Sequence, residues 1–318
     1  MFQGIFDRKT ISLNGMWDYR IDQNDIGKRQ SWYLTDYSGN GWRTIQVPGN
    51  WYLNEEIGDY FGTIWYKKDF RLTEKKGERI FVRFEGVDYI TEVWLNGKYL
   101  GFHEGMFNPF EFEITDFVDY DGNNTLIVRD CAPKDPTEFI EADNDETPLS
   151  DGYKFHQSKG ITQIKGHMIE AMHRPGCYSK YRMDGNSGGI WGNVSIVTKP
   201  EIFIENVKIF TKIDMNGDGR EYQDSAMASF DVYINSNCAK EKEIELGLDI
   251  TPYNFEQEMN CTVKRTVIVR PGSNRFKLTA RIEQVALWWT WDHGKPNLYT
   301  ASITAMEDRI STNFGVKE

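Results

Sequence analysis

Hydrophobic positions along this chain recur every second residue, and no long stretch carries the 3.6-residue spacing of an amphipathic helix. That period predicts strands throughout and an all-β protein. The alternation is cleanest in the C-terminal third. There Ala226, Ala228, Phe230, Val232 and Ile234 share one face, as do Ile244, Leu246, Leu248 and Ile250, and then Phe276, Leu278, Ala280 and Ile282. Apolar stretches at 202–212, 261–269, 298–306 and a short 309–314 bring the count to about seven strands in roughly 115 residues, the number and size of an immunoglobulin-like sandwich. Pro200 makes a boundary, so this domain is placed at 201–318.

Residues 1–200 also alternate, with different punctuation. Ile80, Val82 and Phe84 form one apolar set, and Leu126/Val128 and Val194/Ile196 mark two more strands. Val93 to Leu100 reads as a hairpin centred on Asn96-Gly97, the dipeptide that accepts the positive φ angles of a type I′ turn. Many strands in one such length favour a jelly-roll or related sandwich. Between Cys131 and Ser187 the alternation disappears, leaving an inserted loop at about 131–187 rich in Asp, Glu, Lys, Gly and His. A connection of that length is either functional or unstructured.

Composition narrows the partners. A chain of 318 residues allows two domains with full cores at about 150 residues each. The 37 Lys and Arg against 48 Asp and Glu leave a net charge of −11, the wrong sign for nucleic acid. No apolar run approaches the ~20 residues of a membrane span, and the opening MFQGIFDRKT does not read as a signal peptide. Compartment and oligomeric state stay open. The four cysteines, Cys131, Cys177, Cys238 and Cys261, form no C-x-x-C and specify neither a disulfide framework nor a zinc ribbon. Aromatic residues make up 14% of the chain, with 10 Trp, which suits thick β-cores and equally suits stacking on sugar rings.

Several motifs, in shared order, resemble the N-terminal region of glycoside hydrolase family 2, the β-galactosidases, β-glucuronidases and β-mannosidases. They are Ser12-Leu13-Asn14-Gly15-Met16-Trp17, Val47-Pro48-Gly49-Asn50-Trp51, Tyr60 to Tyr66, Phe84-Glu85-Gly86-Val87-Asp88, Val93 to Gly97, His103-Glu104-Gly105, Pro109-Phe110-Glu111 to Thr115, and Ser187 to Val194. Leu287-Trp288 with Pro296-Asn297-Leu298-Tyr299 is similar to the end of the family's second, immunoglobulin-like domain. The resemblance implies a sugar-binding jelly roll followed by that domain. It also implies that both catalytic glutamates belong to a (β/α)8 barrel, into which Ser311 to Glu318 would lead. A retaining glycosidase needs two carboxyls about 5–5.5 Å apart, and nothing here resembles the barrel strands that would present them. No catalytic residue is therefore expected on this chain.

The resemblance also implies that the first domain lends rim residues to the barrel's pocket. Asp184, followed by Gly185, stands near the family's sugar-contacting Asp but one residue late, with Met183 in the matching slot; Asn186 matches a family Asn. Asp184 and Asn186 are the candidate substrate-binding residues, with an Asp-Gly turn as the plain alternative. His156, His167, His173 and Cys177 offer zinc-type ligands, but His-x5-His-x3-Cys matches no standard set, and a loop lining the substrate entrance is preferred. Asp214 to Gly219 copies the first half of a calcium loop, yet Ser225 stands where that loop needs a bidentate Glu, so it reads as a hairpin turn. Sequons at Asn123, Asn193 and Asn260 matter only in a source that glycosylates. No metal or cofactor is expected.

The leading expectation is a non-catalytic portion of a family 2 glycosidase whose partners are its catalytic barrel and, weakly at the pocket rim, carbohydrate. The rivals are a free-standing lectin-like protein and a structural or adhesive sandwich pair. Trp17, Trp65 and Trp94 are expected in cores. Uncovered aromatic surface is expected near Phe314-Gly315 and around Asp184–Trp191.

Overall fold

The computed structural model describes residues 5–6, 8–35, 39–72, 78–132, 187–215 and 222–317. The described residues are strands and turns with a single short 3₁₀ segment, Trp51–Leu53. They divide into two compact units, one spanning Thr10–Thr198 and the other joining Met1–Lys9 to Lys199–Glu318.

The first unit is a sandwich of antiparallel strands: β2 (Thr10–Ser12), β3 (Gly15–Asp22), β4 (Arg43–Val47), β5 (Gly62–Phe70), β6 (Arg79–Phe84), β7 (Ile90–Leu95), β8 (Lys98–Glu104), β9 (Phe110–Glu113), β10 (Asn124–Ala132) and β11 (Val194–Lys199). One sheet runs β4-β3-β5-β10-β7-β8 and the other β2-β11-β6-β9. The core between them takes Trp17, Tyr19, Ile64, Tyr66, Val93, Leu126 and Val128 from the first sheet and Ile80, Val82, Phe84, Val194 and Ile196 from the second. Asn96 and Gly97 adopt φ of 50° and 77°, as a type I′ turn between β7 and β8 requires.

Strand β10 departs from simple alternation because both of its faces are covered. A second layer of Trp32, Trp65, Trp94 and Ile127 packs on the outer side of the large sheet. Trp65 stacks on Trp94 at 5.3 Å and meets Trp32 edge-on at 6.0 Å. The chain that closes this layer is pinned by Asp22, whose carboxylate accepts from the backbone N–H groups of Ile26 and Gly27 and from the Trp65 indole N–H, at 2.8, 2.8 and 2.9 Å. Trp17, Trp65 and Trp94 are thus all scaffold, and Trp65 and Trp94 fill a core of their own.

The second unit places β1 (Ile5–Phe6), β18 (Asp308–Phe314), β17 (Tyr299–Ala305), β14 (Lys242–Pro252) and β15 (Cys261–Val269) in one sheet, in that order. The other sheet is β12 (Ile202–Met215), β13 (Tyr222–Ser236) and β16 (Gly272–Glu283). The predicted faces of β13 and β14 are buried throughout, as are Leu278, Ala280 and Ile282 of β16. Where the sequence reading kept residues 1–9 with the first domain, β1 pairs with β18. The reason is Asp308. Its buried carboxylate holds Arg8 at 2.7 Å and accepts from the Ile204 N–H at 2.7 Å, and a two-residue strand carries no periodic signal that could announce it.

Candidate functional site

Asp184 and Asn186 lie outside the described residues, as do His156, His167, His173 and Cys177. What the structure describes is the strand-like stretch that follows them, Ser187 to Asn193, and how it is held. The Trp51 N–H donates to the Gly188 carbonyl and the Gly49 N–H to the Ile190 carbonyl, both at 2.9 Å. The Asn50 side-chain oxygen accepts from the N–H of Tyr52 at 3.1 Å and of Gly188 at 3.3 Å, so it caps the 3₁₀ turn and grips the stretch together. Gly188 has no alternative, since a Cβ there would lie 2.1 Å from the buried Trp51 ring.

On the other side the stretch is held by Asp130, fully buried at the end of β10. Its two carboxylate oxygens accept from the backbone N–H groups of Tyr89, at 3.0 Å, and Gly189, at 2.9 Å. Gly189 also exchanges backbone hydrogen bonds with Asp88, and its φ of 104° lies in the region that favours glycine. The Tyr66 hydroxyl is buried beside it, and burial first, then the charge of Asp130, pushes its pKa well up, so it stays protonated. Asn50 and Tyr66 entered the sequence reading only as members of the family-like motifs, and Asp130 was not singled out; its one signal was an acid two positions beyond the Leu126/Val128 pair that marks a strand.

Beyond the clamp the surface turns aromatic. The Trp191 indole N–H donates to the Met106 carbonyl at 3.1 Å, its ring packs where a side chain on Gly86 would sit, and Phe107 meets it edge-on at 6.2 Å. Trp191 and Phe107 are nonetheless 39% and 40% exposed. In the second unit, Trp288 and Trp289 line a hollow of about 290 Å³ next to Gly315 and Lys317. Partly exposed aromatic rings therefore lie at Trp191 and at Trp289, whereas Phe314 itself is buried.

Candidate chemistry is sparse elsewhere. Among the described residues no three His, Cys, Asp or Glu side chains converge as metal ligands. Of the calcium-like segment only Asp214 and Met215 are described: Asp214 accepts from the Ser225 hydroxyl at 2.8 Å and faces Arg281 at 3.3 Å, and Met215 pairs with Tyr222. The Cys131 and Cys261 thiols are pushed up by burial, which disfavours a reactive thiolate. No described helix is long and apolar enough to cross a membrane.

Comparison with known proteins assigns this architecture. The model of the glycosyl hydrolases family 2 sugar binding domain matches residues 10–157, and a second model of glycosyl hydrolases family 2 matches residues 203–317. A β-galactosidase of Thermoanaerobacter pseudethanolicus is 32% identical across 98% of this chain, which covers 35% of that protein. A β-glucuronidase of Sus scrofa is 24% identical across 93% of the chain, which covers 41% of it. In fold, Bacteroides uniformis β-glucuronidase 2 superposes with a TM-score of 0.68 at 18% identity, over 98% of this chain and 33% of its own. The Ruminococcus gnavus β-glucuronidase gives 0.65 at 16% identity, over 98% and 45%. The chain thus spans little more than a third of the curated relatives it matches over nearly its full length. With two models of one family covering most of its sequence in the right order, on two antiparallel β-sandwich units, the chain belongs to glycosyl hydrolase family 2 and corresponds to the N-terminal domains of its β-galactosidases and β-glucuronidases.

Proposed function

We propose that this chain serves as the non-catalytic N-terminal portion of a family 2 glycosidase, in which its sandwiches support a catalytic (β/α)8 barrel and the stretch around 184–191 shapes the rim of the barrel's pocket. The observation that carries this reading is the coverage: nearly the whole chain matches, in order, a third of a β-galactosidase. Sugar hydrolysis with retention needs paired carboxyls across the scissile bond, and the reading assigns that pair to the barrel. The clamp formed by Asn50, Asp130 and the two glycines supports the rim role, because it fixes the backbone immediately after Asp184 and Asn186. Those two residues are our assignment for sugar contact.

The test is a turnover assay. The purified chain is expected to release no nitrophenol from nitrophenyl β-galactoside or β-glucuronide above a protein-free control, and turnover that persists through purification overturns the reading. Sugar binding by the isolated chain is expected to be no tighter than about millimolar, since a few contacts recover little beyond the cost of association. A micromolar Kd for a galactoside or glucuronide by calorimetry would instead make it a lectin.

A further inference from the structure

The described strands form four sheets and so leave eight sheet edges. An unpaired edge offers backbone N–H and C=O groups to any further strand, and proteins blunt such edges by shortness, bulges or cover. Seven of the eight are blunted in one of these ways. β1, β2 and β9 have two, three and four residues, and the five-residue β4 runs directly into Pro48. The pairing of β8 slips at Val93/Trp94, and that of β12 at Ile204/Asn206 and Ile213/Met215. On β16, the carbonyls of Lys277 and Arg281 accept from the Arg265 guanidinium at 2.8 Å and from the Cys261 thiol at 3.5 Å.

The eighth edge, β15, has none of these protections. Its nine residues pair with β14 without a break in register, no described strand lies on their other side, and they include neither Pro nor Gly. Six of the nine are β-branched, the class that favours strands, and Ile268 is 54% exposed. The two cations of the strand do not guard the edge. Lys264 turns back to Glu245 of β14 at 3.0 Å, and Arg265 reaches across the sandwich to the Lys277 carbonyl. The edge also lies away from the point where the chain leaves β18. That strand is three places across the sheet, and the level of Phe314, through Tyr299 to Pro252, is roughly 33 Å along β14 from Lys242, which pairs with Val269.

We propose that β15 is a self-association edge, pairing antiparallel with β15 of a second copy about a two-fold axis at Thr266 and joining two five-stranded sheets into one of ten. Opposed residues share a face, and like charges directly opposite are destabilising, so few registers are open. Axes at Lys264 or Arg265 set a cation against its own copy, and an axis at Val267 sets Lys264 against Arg270. Axes nearer either end pair at most five residues of the strand, against seven for Thr266. The Thr266 axis sets Lys264 against Ile268, Arg265 against Val267 and Val263 against Val269. Glu243, the neighbour of Ile268 on β14, forms no ion pair among the described residues. Lys264 of one copy therefore reaches over Ile268 of the other toward its Glu243, and the two-fold axis repeats the pair. The contact is independent of the proposed function.

The test is sedimentation velocity of the full chain over about 10 to 500 µM, with amide exchange read by mass spectrometry at both ends of that range. Seven paired residues make an interface at the small end of specific ones, so a reversible dimer with a Kd on the order of 100 µM is expected. Exchange across 263–269 should slow as the dimer forms. Ile268→Lys, at an exposed position, sets a second cation against Lys264 and should weaken the dimer at least about tenfold. Glu243→Lys should weaken it several-fold, and Phe210→Lys, equally exposed on the other sheet, should leave it unchanged. A chain that stays monomeric throughout overturns the proposal. So does a dimer that survives Ile268→Lys, or one whose protection falls outside β15, since either places the contact on another surface.

Discussion

The buried carboxylate of Asp130 accepts the backbone N–H of Gly189 at 2.9 Å, tying a strand end of the first unit to a residue 59 positions later. Its other oxygen takes the N–H of Tyr89. Replacing Asp130 by Asn keeps the size but turns one acceptor into a donor facing a donor. The substitution is expected to cost about 1–3 kcal/mol, the range for a buried group left without its partner. Chemical denaturation of the two proteins side by side measures it, and an unchanged midpoint would refute the clamp.

Two glycines should lose stability to the same change for different reasons. At Gly188 an added Cβ meets the Trp51 ring at 2.1 Å, and Trp51 is fully buried and cannot withdraw. Gly188→Ala is expected to lose roughly 1–3 kcal/mol or more from overpacking. Gly272, at φ 86° with nothing within 4 Å, faces only backbone strain, about 1 kcal/mol. Thermal unfolding of both variants ranks the costs.

Asn124 is the buried centre of another small network. Its side-chain oxygen accepts from the Asn96 amide and the Asp119 N–H, and its amide donates to the Asp119 carbonyl, all at 2.8 Å. Asn124→Asp is nearly isosteric but sets an oxygen against that carbonyl. A loss of about 2 kcal/mol is expected by denaturant titration, and because Asn96 forms the β7–β8 turn, faster amide exchange there should accompany it.

His103 gives a pH dependence with a definite sign. Burial lowers its pKa below the ordinary 6.5, outweighing the carbonyl of Gly105 and the charge of Glu104, and its ring stacks on Phe110 at 4.1 Å. The unfolded chain therefore takes up the proton first, so the group's contribution is intact above about pH 6.5 and is lost as pH falls below it. His103→Gln, neutral at every pH, should lose less stability than the parent between pH 7 and pH 5. Equal losses in the two melting curves would show that His103 plays no part.

Much of this fold was already written as a period of two. The faces of β13 and β14 are apolar at every second position and buried at each of them, because a strand with one covered side needs no more information than alternation. The Asn96-Gly97 turn was equally legible, since few dipeptides tolerate two successive positive φ angles. Tertiary structure alone decided three things. It covered β10 on both faces, which is why Arg129 and Asp130 can sit in a strand between apolar neighbours. It drew Ile5–Phe6 into the second unit through the Arg8–Asp308 pair, a contact across 300 positions that no local pattern encodes. And it assembled the clamp on Gly188 and Gly189 from Asn50, Trp51, Tyr89 and Asp130, residues whose types are ordinary and whose meaning arises from a shared location. Periodicity records which side of a strand is covered, whereas the partner that satisfies a buried carboxylate is fixed only when distant strands meet.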